Sequence, residues 1–377
     1  MTALVPAPPG AASRVLVGLS GGVDSAVAAL LLRQAGWDAQ GLFLSNWDED
    51  DDGYCTAAQD FQDARAVAAE LAIPLHRASF AGEYRQRVFE HFLREHRAGR
   101  TPNPDVLCNR EIKFGVALEW ARRLGATHFA TGHYARLAAA ADGPGLFKAA
   151  DAAKDQSYFL HAVPRAELAD TLMPLGALDK PSVRECARRA GLPVFDKPDS
   201  TGICFIGERP FRQFLARFLA KSPGPIESID GQALGTHEGL AFYTLGQRGG
   251  LQIGGRAGHA EQPWYVAAKD AARNALIVVQ GHDHPRLASG ALLTEGWHWL
   301  TAARGAPFRC AVKIRYRQAE QPALLAPRAD GTVHISFDQP QRAVTPGQYA
   351  VAYEGDRCLG GAVIAATEPA TRHSAAA

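Results

Sequence analysis

At 377 residues the chain is longer than one ordinary domain, and its 47% apolar and 21% charged residues are those of a globular protein with a full core. A net charge of +1 excludes holding a polyanion through a global field, so a nucleic-acid partner would have to meet a local basic patch. The six cysteines, at positions 55, 108, 186, 204, 310 and 358, form no CxxC and no cluster, which argues against a zinc site or a disulfide framework and for a reducing compartment.

The first residues, MTALVPAPPGAAS, carry neither the charged nor the apolar region of a leader, and no apolar run approaches transmembrane length. A disordered lead-in (1–12) to a cytosolic protein is expected. Residues 15–19 read as a buried parallel strand, 20–25 (SGGVDS) as a glycine-bearing turn, and the apolar run after it as a helix that stops at Gly36. Residues 38–45 read as a second strand. The acidic run 48–52 reads as a solvated loop rather than a magnesium site, because adjacent carboxylates repel. A helix over 57–71, a third strand over 74–80, an amphipathic helix over 82–96, a loop over 98–109, a helix over 111–124 and a fourth strand over 127–131 follow. This alternation implies a doubly wound parallel sheet, with the ligand beyond the carboxyl ends of its strands, where the 20–25 turn and Gly132-His133 converge.

Beyond it, 138–145 (AAAADGPG) reads as a low-complexity loop, 147–150 as a short strand, and 180–190 as a helix started by Pro181 and stopped by Gly191. From about residue 221 the pattern changes to short alternating strands broken by glycine. The expected units are a catalytic α/β domain (13–212), a small central β-rich domain (213–290), a barrel-like domain (291–366) and a disordered tail (367–377).

A strand, a Ser/Gly turn and a helix N-terminus make a phosphate site, because turn N–H groups and the positive end of the helix dipole face one anion. Gly21 and Gly22 let the backbone approach a ligand closely. The GK[ST] of a Walker loop is missing, and so is GxGxxG. Asn103-Pro104-Asp105-Val106-Leu107-Cys108-Asn109 reads as a loop, since Pro102 and Pro104 each remove a donor, and it sets a carboxylate and a thiol three residues apart. Cys204 lies in a polar, glycine-containing turn; Cys186 and Cys310 read as core, and Cys55 and Cys358 stay undecided. Lys313, Arg315 and Arg317 alternate with Val312, Ile314 and Tyr316, so one strand would present three cations on one face. His282 and His284 have an HxH spacing but no third ligand nearby.

The SGGVDS turn resembles the PP-loop of the ATP pyrophosphatases, which split ATP between the α and β phosphates. Together with GLFLSNWDED, FQDARAVAAEL, TPNPDVLCN, ATGHYAR, KDQSYFL, DSTGICFIGERPFRQFL and RYRQ, in this order, it resembles the tRNA 2-thiouridylases, the MnmA/TrmU family that thiolates the wobble uridine of tRNA. The resemblance reaches to about residue 366, and NPDVLCN and STGICFIGE are its most specific blocks. Leu44 departs from a frequent methionine, a swap of similar volume.

The resemblance implies a Rossmann-like sheet of the PP-loop, adenine nucleotide alpha hydrolase type, followed by two small β domains. It implies ATP binding by Gly18, Leu19, Ser20, Gly21, Gly22, Val23, Asp24, Ser25, Leu44 and Gly132, with Mg2+ required. The uracil O2 would attack the α-phosphate, releasing pyrophosphate. Cys204 would carry a persulfide delivered by a sulfur donor protein, with Asp105 as an acid–base or base-contacting group. The terminal sulfur would attack C2 directly, or Cys108 would attack the inner sulfur, releasing sulfide and leaving a transient Cys108–Cys204 disulfide. The second route needs the two Cα atoms within roughly 7 Å. Asn103, Pro104 and Asp105 would meet the target base, and His133, Lys154, Asp155, Gln156, Arg315, Tyr316 and Gln348 the rest of the tRNA. A monomer is expected. The alternatives are a PP-loop synthetase with an amine nucleophile, which needs no cysteine pair, and a nucleotide-gated RNA-binding protein, which releases no pyrophosphate.

Overall fold

The computed structural model describes residues 5–10, 13–47, 57–199, 211–254 and 262–370. Its first part is built on five parallel strands, β1 (Arg14–Gly18), β2 (Asp38–Ser45), β3 (Leu75–Ser79), β4 (His128–Ala130) and, after a hairpin, β7 (Thr171–Leu172), in the order β3-β2-β1-β4-β7. Alternate residues of β1 enter two different cores. Val15 and Val17 pack with α1 (Val23–Gln34), α2 (Ala57–Glu70) and the later helix α9 (Lys180–Arg189), whereas Leu16 joins Leu42, Phe129 and the helices between β3 and β4. A strand covered on both faces reads as a continuous apolar run, which is why VLVGL is uninterrupted.

The helices between β3 and β4 depart from expectation. The segment expected as one amphipathic helix is α3 (Ala81–Tyr84), π-helical turns over Arg85–Phe89, and α4 (Glu90–Arg97). The wider turn sets Phe89 against both Trp47, at 4.9 Å between ring centroids, and Phe92, at 6.1 Å. The stretch expected as a loop around Asp105 starts a helix instead. Asn103 caps it by accepting from the Asp105 N–H at 3.1 Å, and α5 (Pro104–Leu107) runs into π-helical turns over Cys108–Val116 and then α6 (Ala117–Arg123). Pro104 at the first helical position loses nothing, because that N–H has no intrahelical partner anyway.

Residues 138–145, expected as a loop, form most of a hairpin, β5 (Arg136–Ala140) and β6 (Gly143–Phe147), and the strand expected over 147–150 ends at Phe147. Short helices α7 (Ser157–Leu160) and α8 (Arg165–Ala169) precede β7. After α9 and α10 (Phe211–Ala216) comes a four-stranded sheet of β8 (Gly224–Ser228), β9 (Ala233–His237), β10 (Trp264–Asp270) and β11 (Ala275–Gln280), ordered β10-β11-β8-β9. The last part is a barrel closed by six strands: β12 (Ala288–Thr294), β14 (Phe308–Lys313), β15 (Gln321–Pro327), β16 (Val333–Arg342), β17 (Tyr349–Glu354) and β18 (Arg357–Pro369), with β12 pairing both β16 and β18. The short β13 (His298–Trp299) and the β5–β6 hairpin also pair with β18, so the α/β part and the barrel share a sheet. No helix among the described residues is long and apolar enough to cross a membrane.

Two buried histidines make this packing pH-sensitive. Burial holds His96, whose Nδ1 lies 3.0 Å from the Ala241 carbonyl, down at about 4. Burial also holds His161, whose Nδ1 lies 2.7 Å from the Tyr158 carbonyl, at about 3. Both are neutral in the fold, while the unfolded chain protonates each below its ordinary value, so stability is present above that value and is lost as the pH falls. The expected loss is about 1.4 kcal/mol per pH unit per histidine, from the ordinary value of 6.5 down to about 4. Urea unfolding across this window checks it, and a flat profile contradicts it.

Candidate active site

The chain order reverses between β1 and β4, and the carboxyl ends of these strands meet. A Cβ on Gly132, just past β4, would lie 2.8 Å from the Asp24 carbonyl carbon and from the Ser25 nitrogen, so only glycine fits this approach. The loop after β1 is shaped by its own serines. Ser25 Oγ accepts from the Ser20 N–H at 3.1 Å and donates to the Gly22 carbonyl at 3.1 Å, and it lies 3.2 Å from Ser20 Oγ. Gly21 has φ +77° and presses on the first turn of α2. Gly22 caps α1 with no side chain bonded to the first turn, which leaves that turn's N–H groups to an anion. Half-buried Leu44 lies near the carboxyl end of β2. Next to that strand, Asn46 is 2% exposed with both amide atoms unpartnered among the described residues.

Asp24 is held by groups that sequence reasoning missed. The Tyr134 hydroxyl donates to Asp24 Oδ1 at 2.7 Å, and the Lys180 ammonium donates to both carboxylate oxygens at 2.7 and 2.8 Å. Burial, together with the Asp24 carboxylate, pushes the Tyr134 phenol far up, so it stays a donor. Lys180 also reaches Asp199 at 2.7 Å, and Asp199 further binds Lys154 at 2.6 Å and Arg184 at 2.9 Å. Partial burial works against the Asp199 anion, yet the ammoniums of Lys154 and Lys180 hold its carboxyl at about 2. Lys197 joins Asp60 (2.7 Å), Asp63 (2.5 Å) and the Gly21 carbonyl (3.1 Å). The i, i+4 spacing of Lys180 and Arg184 on α9 was the one available signal.

Cys108 is fully buried at the start of the π-helical turns, and Asp105 is half-buried three residues before it. Asn109 donates to the Phe159 carbonyl at 3.2 Å, and its Oδ1 is buried without a partner among the described residues. His133 is buried on the site's floor. Its Nδ1 lies 2.8 Å from Thr131 Oγ1 and its Nε2 3.5 Å from Lys113 Nζ, and burial with that ammonium holds it neutral. Asp155 is buried and accepts from the Ala149 and Ser157 N–H groups and the Ser157 hydroxyl, while Gln156 accepts from the Tyr134 N–H. Tyr316 packs on Phe159 of α7 with centroids 4.4 Å apart and the rings tilted by 43°, and Gln348 donates to the Thr101 carbonyl at 2.8 Å, so the barrel leans on α7 and on the segment before α5. Cys204 and the acidic run 48–52 lie outside the described residues.

The expected basic stripe is corrected. β14 ends at Lys313, and the chain then turns, so period two does not continue to Arg317. Lys313 points to Asp155 at 3.8 Å, and Arg315 turns inward to donate to the Ala343 carbonyl at 2.5 Å, leaving only Arg317 exposed. Arg315→Ala is therefore expected to cost about 1 kcal/mol of stability by removing one of the two hydrogen bonds to that carbonyl, which keeps the Thr345 hydroxyl at 2.8 Å. Arg317→Ala should leave unfolding unchanged. Paired urea unfolding of the two variants checks the contrast. Nor do His282 and His284 build a metal site: His282 pairs with Asp283 at 2.6 Å, and the described residues hold no group of three or more metal-ligating side chains.

A switch-point crevice floored by an SGGxDS loop defines a PP-loop nucleotide-binding α/β domain, here followed by two β domains. The family model for the tRNA methyl transferase HUP domain matches residues 13–208, its PRC-barrel domain matches 212–280, and the aminomethyltransferase beta-barrel domain matches 289–364. The tRNA-specific 2-thiouridylase MnmA of Alkalilimnicola ehrlichii is 55% identical over 96% of this chain and 99% of its own. That of Aeromonas hydrophila is 54% identical over 93% and 96%, and that of Chromohalobacter salexigens 55% over 94% and 93%. The chain belongs to the tRNA-specific 2-thiouridylase family.

Proposed function

We propose that this chain is an ATP-dependent tRNA-uridine 2-sulfurtransferase, and that it thiolates the wobble uridine after adenylating uracil O2. The observation that carries the reading is family membership over nearly the whole chain, together with the uncapped PP-loop helix start at the carboxyl end of β1. As substrate, ATP fits the loop: the uncapped first turn of α1 meets the phosphates, and Leu44, with the orphaned amide of Asn46 nearby, suits adenine. Gly18, Leu19, Ser20, Gly21, Gly22, Val23, Asp24, Ser25 and Gly132 complete that site.

Magnesium would enter with the nucleotide, since such ions are rarely caged by protein alone, and Asp24 would hold it in exchange for one of its present bonds to Lys180 and Tyr134. The ion would neutralise charge on the departing pyrophosphate. Asn103, Pro104 and Asp105 position the target base, which leaves its loop stack cheaply. Asp105 holds or moves the proton at the base. His133, Lys154, Asp155, Gln156, Arg315, Tyr316 and Gln348 shape the surface toward the tRNA, the buried ones by fixing their neighbours. A sulfur donor protein loads Cys204, whose persulfide is more ionised than a thiol at neutral pH. Its terminal sulfur reaches C2 directly, or Cys108 releases it by attacking the inner sulfur. We further propose a cytoplasmic monomer with units at 13–212, 213–290 and 291–366.

The test is thiolation of an unmodified tRNA transcript with ATP, magnesium and a sulfide source, read by mass analysis of its nucleosides. Thiouridine that appears only with ATP is expected. AMP and pyrophosphate without thiouridine would leave adenylation standing and overturn the acceptor, and untouched ATP would overturn the reading.

A further inference from the structure

Three cations from separate stretches of the chain converge on one carboxylate beside the PP-loop. Lys154 follows the β5–β6 hairpin, and Lys180 and Arg184 lie one turn apart on α9; all three reach Asp199 within 2.6–2.9 Å. Lys180 is 8% exposed and its ammonium bridges Asp199 to Asp24, so the cluster lies one ammonium away from the loop. Gathering three cations is costly, because they repel each other, and the two carboxylates they reach, Asp199 and Asp24, leave one positive charge unmatched. The uncapped N–H groups of the α1 first turn border the same Asp24. Cation clusters next to free backbone donors suit an anion carrying several charges, and guanidinium and ammonium groups bind phosphate through short charge-assisted bonds.

We propose that Lys154, Lys180 and Arg184 form the subsite for the β- and γ-phosphates of ATP, and for pyrophosphate as it leaves, and that Asp199 occupies this subsite as a built-in carboxylate until the phosphates displace it. The inference rests on the adenylation reading above. In that step the bond from Pα to the αβ-bridging oxygen breaks and its electron pair stays on that oxygen, which becomes a terminal oxygen of pyrophosphate. The acceptor oxygen forms the new bond to Pα, and nothing is oxidised or reduced. Negative charge thus grows on the side of the phosphate chain that the three cations face, where fixed positive groups stabilise it without reorganisation.

Calorimetric titration of the full chain with MgATP, AMP and magnesium pyrophosphate separates this subsite from the rest of the nucleotide site. Lys154→Met and Arg184→Gln, both at half-exposed positions, should each weaken ATP and pyrophosphate roughly tenfold, the loss of one charge-assisted contact, and leave AMP within about twofold. Asp199→Asn should act the other way and tighten pyrophosphate severalfold, because a neutral amide competes poorly for the cations. Lys180→Gln removes a partner of Asp24, so it is judged only after a melting curve matches the wild type. Equal losses for AMP and ATP, or indifference of pyrophosphate to all the variants, would overturn the subsite. A wild-type chain that binds pyrophosphate in this residue-dependent way but not ATP would overturn the adenylation reading and leave the anion site standing.

Discussion

Replacing Cys108 by serine is expected to lower thiouridine formation at least about a thousandfold while pyrophosphate release continues. The side chain is fully buried among Val106, Leu107, Ile112 and Phe114 at the point where α5 passes into π-helical turns, a helix form that recurs at functional sites. Serine has nearly the same shape, so the cost to folding is that of a buried hydroxyl, about 1–3 kcal/mol. An alcohol is not ionised at neutral pH and neither accepts nor releases sulfur, so the transfer half of the reaction should stop while adenylation, which draws on the PP-loop, proceeds. Counting thiouridine and pyrophosphate in one reaction decides it. Loss of both would make Cys108 a packing residue, and retention of both would favour direct attack by the Cys204 persulfide. Cys310 and Cys358 serve as controls, because burial pushes both thiols up to about 12 and neither should affect the chemistry.

The parts of this molecule that sequence reasoning could reach are those governed by local periodicity. The strand expected over 15–19 is Arg14–Gly18, buried at Val15, Leu16 and Val17 because both of its faces are covered, and a run of apolar residues says so directly. The 138–145 stretch carries no such signal: Ala, Gly and Pro have little side chain to alternate, and their strand identity comes from pairing within the hairpin and with β18, more than two hundred residues away. Around Asp105 the error was chemical. Pro102 and Pro104 each lack a donor, but Pro104 stands in the first helical turn, whose N–H groups have no intrahelical partner in any case. Arg315 looked like part of a solvated stripe because period two was extended past the end of β14 into a turn. At the site, the loop and both cysteine blocks were legible as motifs, but the Asp24–Lys180 link joins residues more than 150 apart and, like the Lys180–Asp199 link, leaves no periodic spacing to read.

The two neighbouring glycines of the PP-loop should fail differently. Both were expected to serve close approach to a ligand, yet the fold itself demands only one of them. At Gly21, φ is +77° and a Cβ would lie 2.2 Å from the Asp60 carbonyl oxygen. An L-residue there costs roughly 1–2 kcal/mol in backbone conformation before any clash is counted. The contact must also open by about an ångström, either by pushing α2 outward or by lifting the loop. Lys197 resists both movements, since it ties Asp60, Asp63 and the Gly21 carbonyl together. Gly21→Ala should therefore lower stability by about 2–4 kcal/mol, and a displacement of that size at the phosphates should cut kcat/KM for ATP at least about a hundredfold. At Gly22 the backbone is ordinary, with φ −99°, and an added Cβ would meet only Ser20 Oγ at 3.5 Å. Gly22→Ala should unfold at the wild-type denaturant concentration, so any loss of ATP use reports the ligand's need for a bare backbone and not the fold's. Urea midpoints and ATP-dependent pyrophosphate release for the two variants make the comparison. If Gly21→Ala keeps wild-type stability, the contact with Asp60 does not constrain the loop; if Gly22→Ala keeps full ATP use, the phosphates do not pass over that residue.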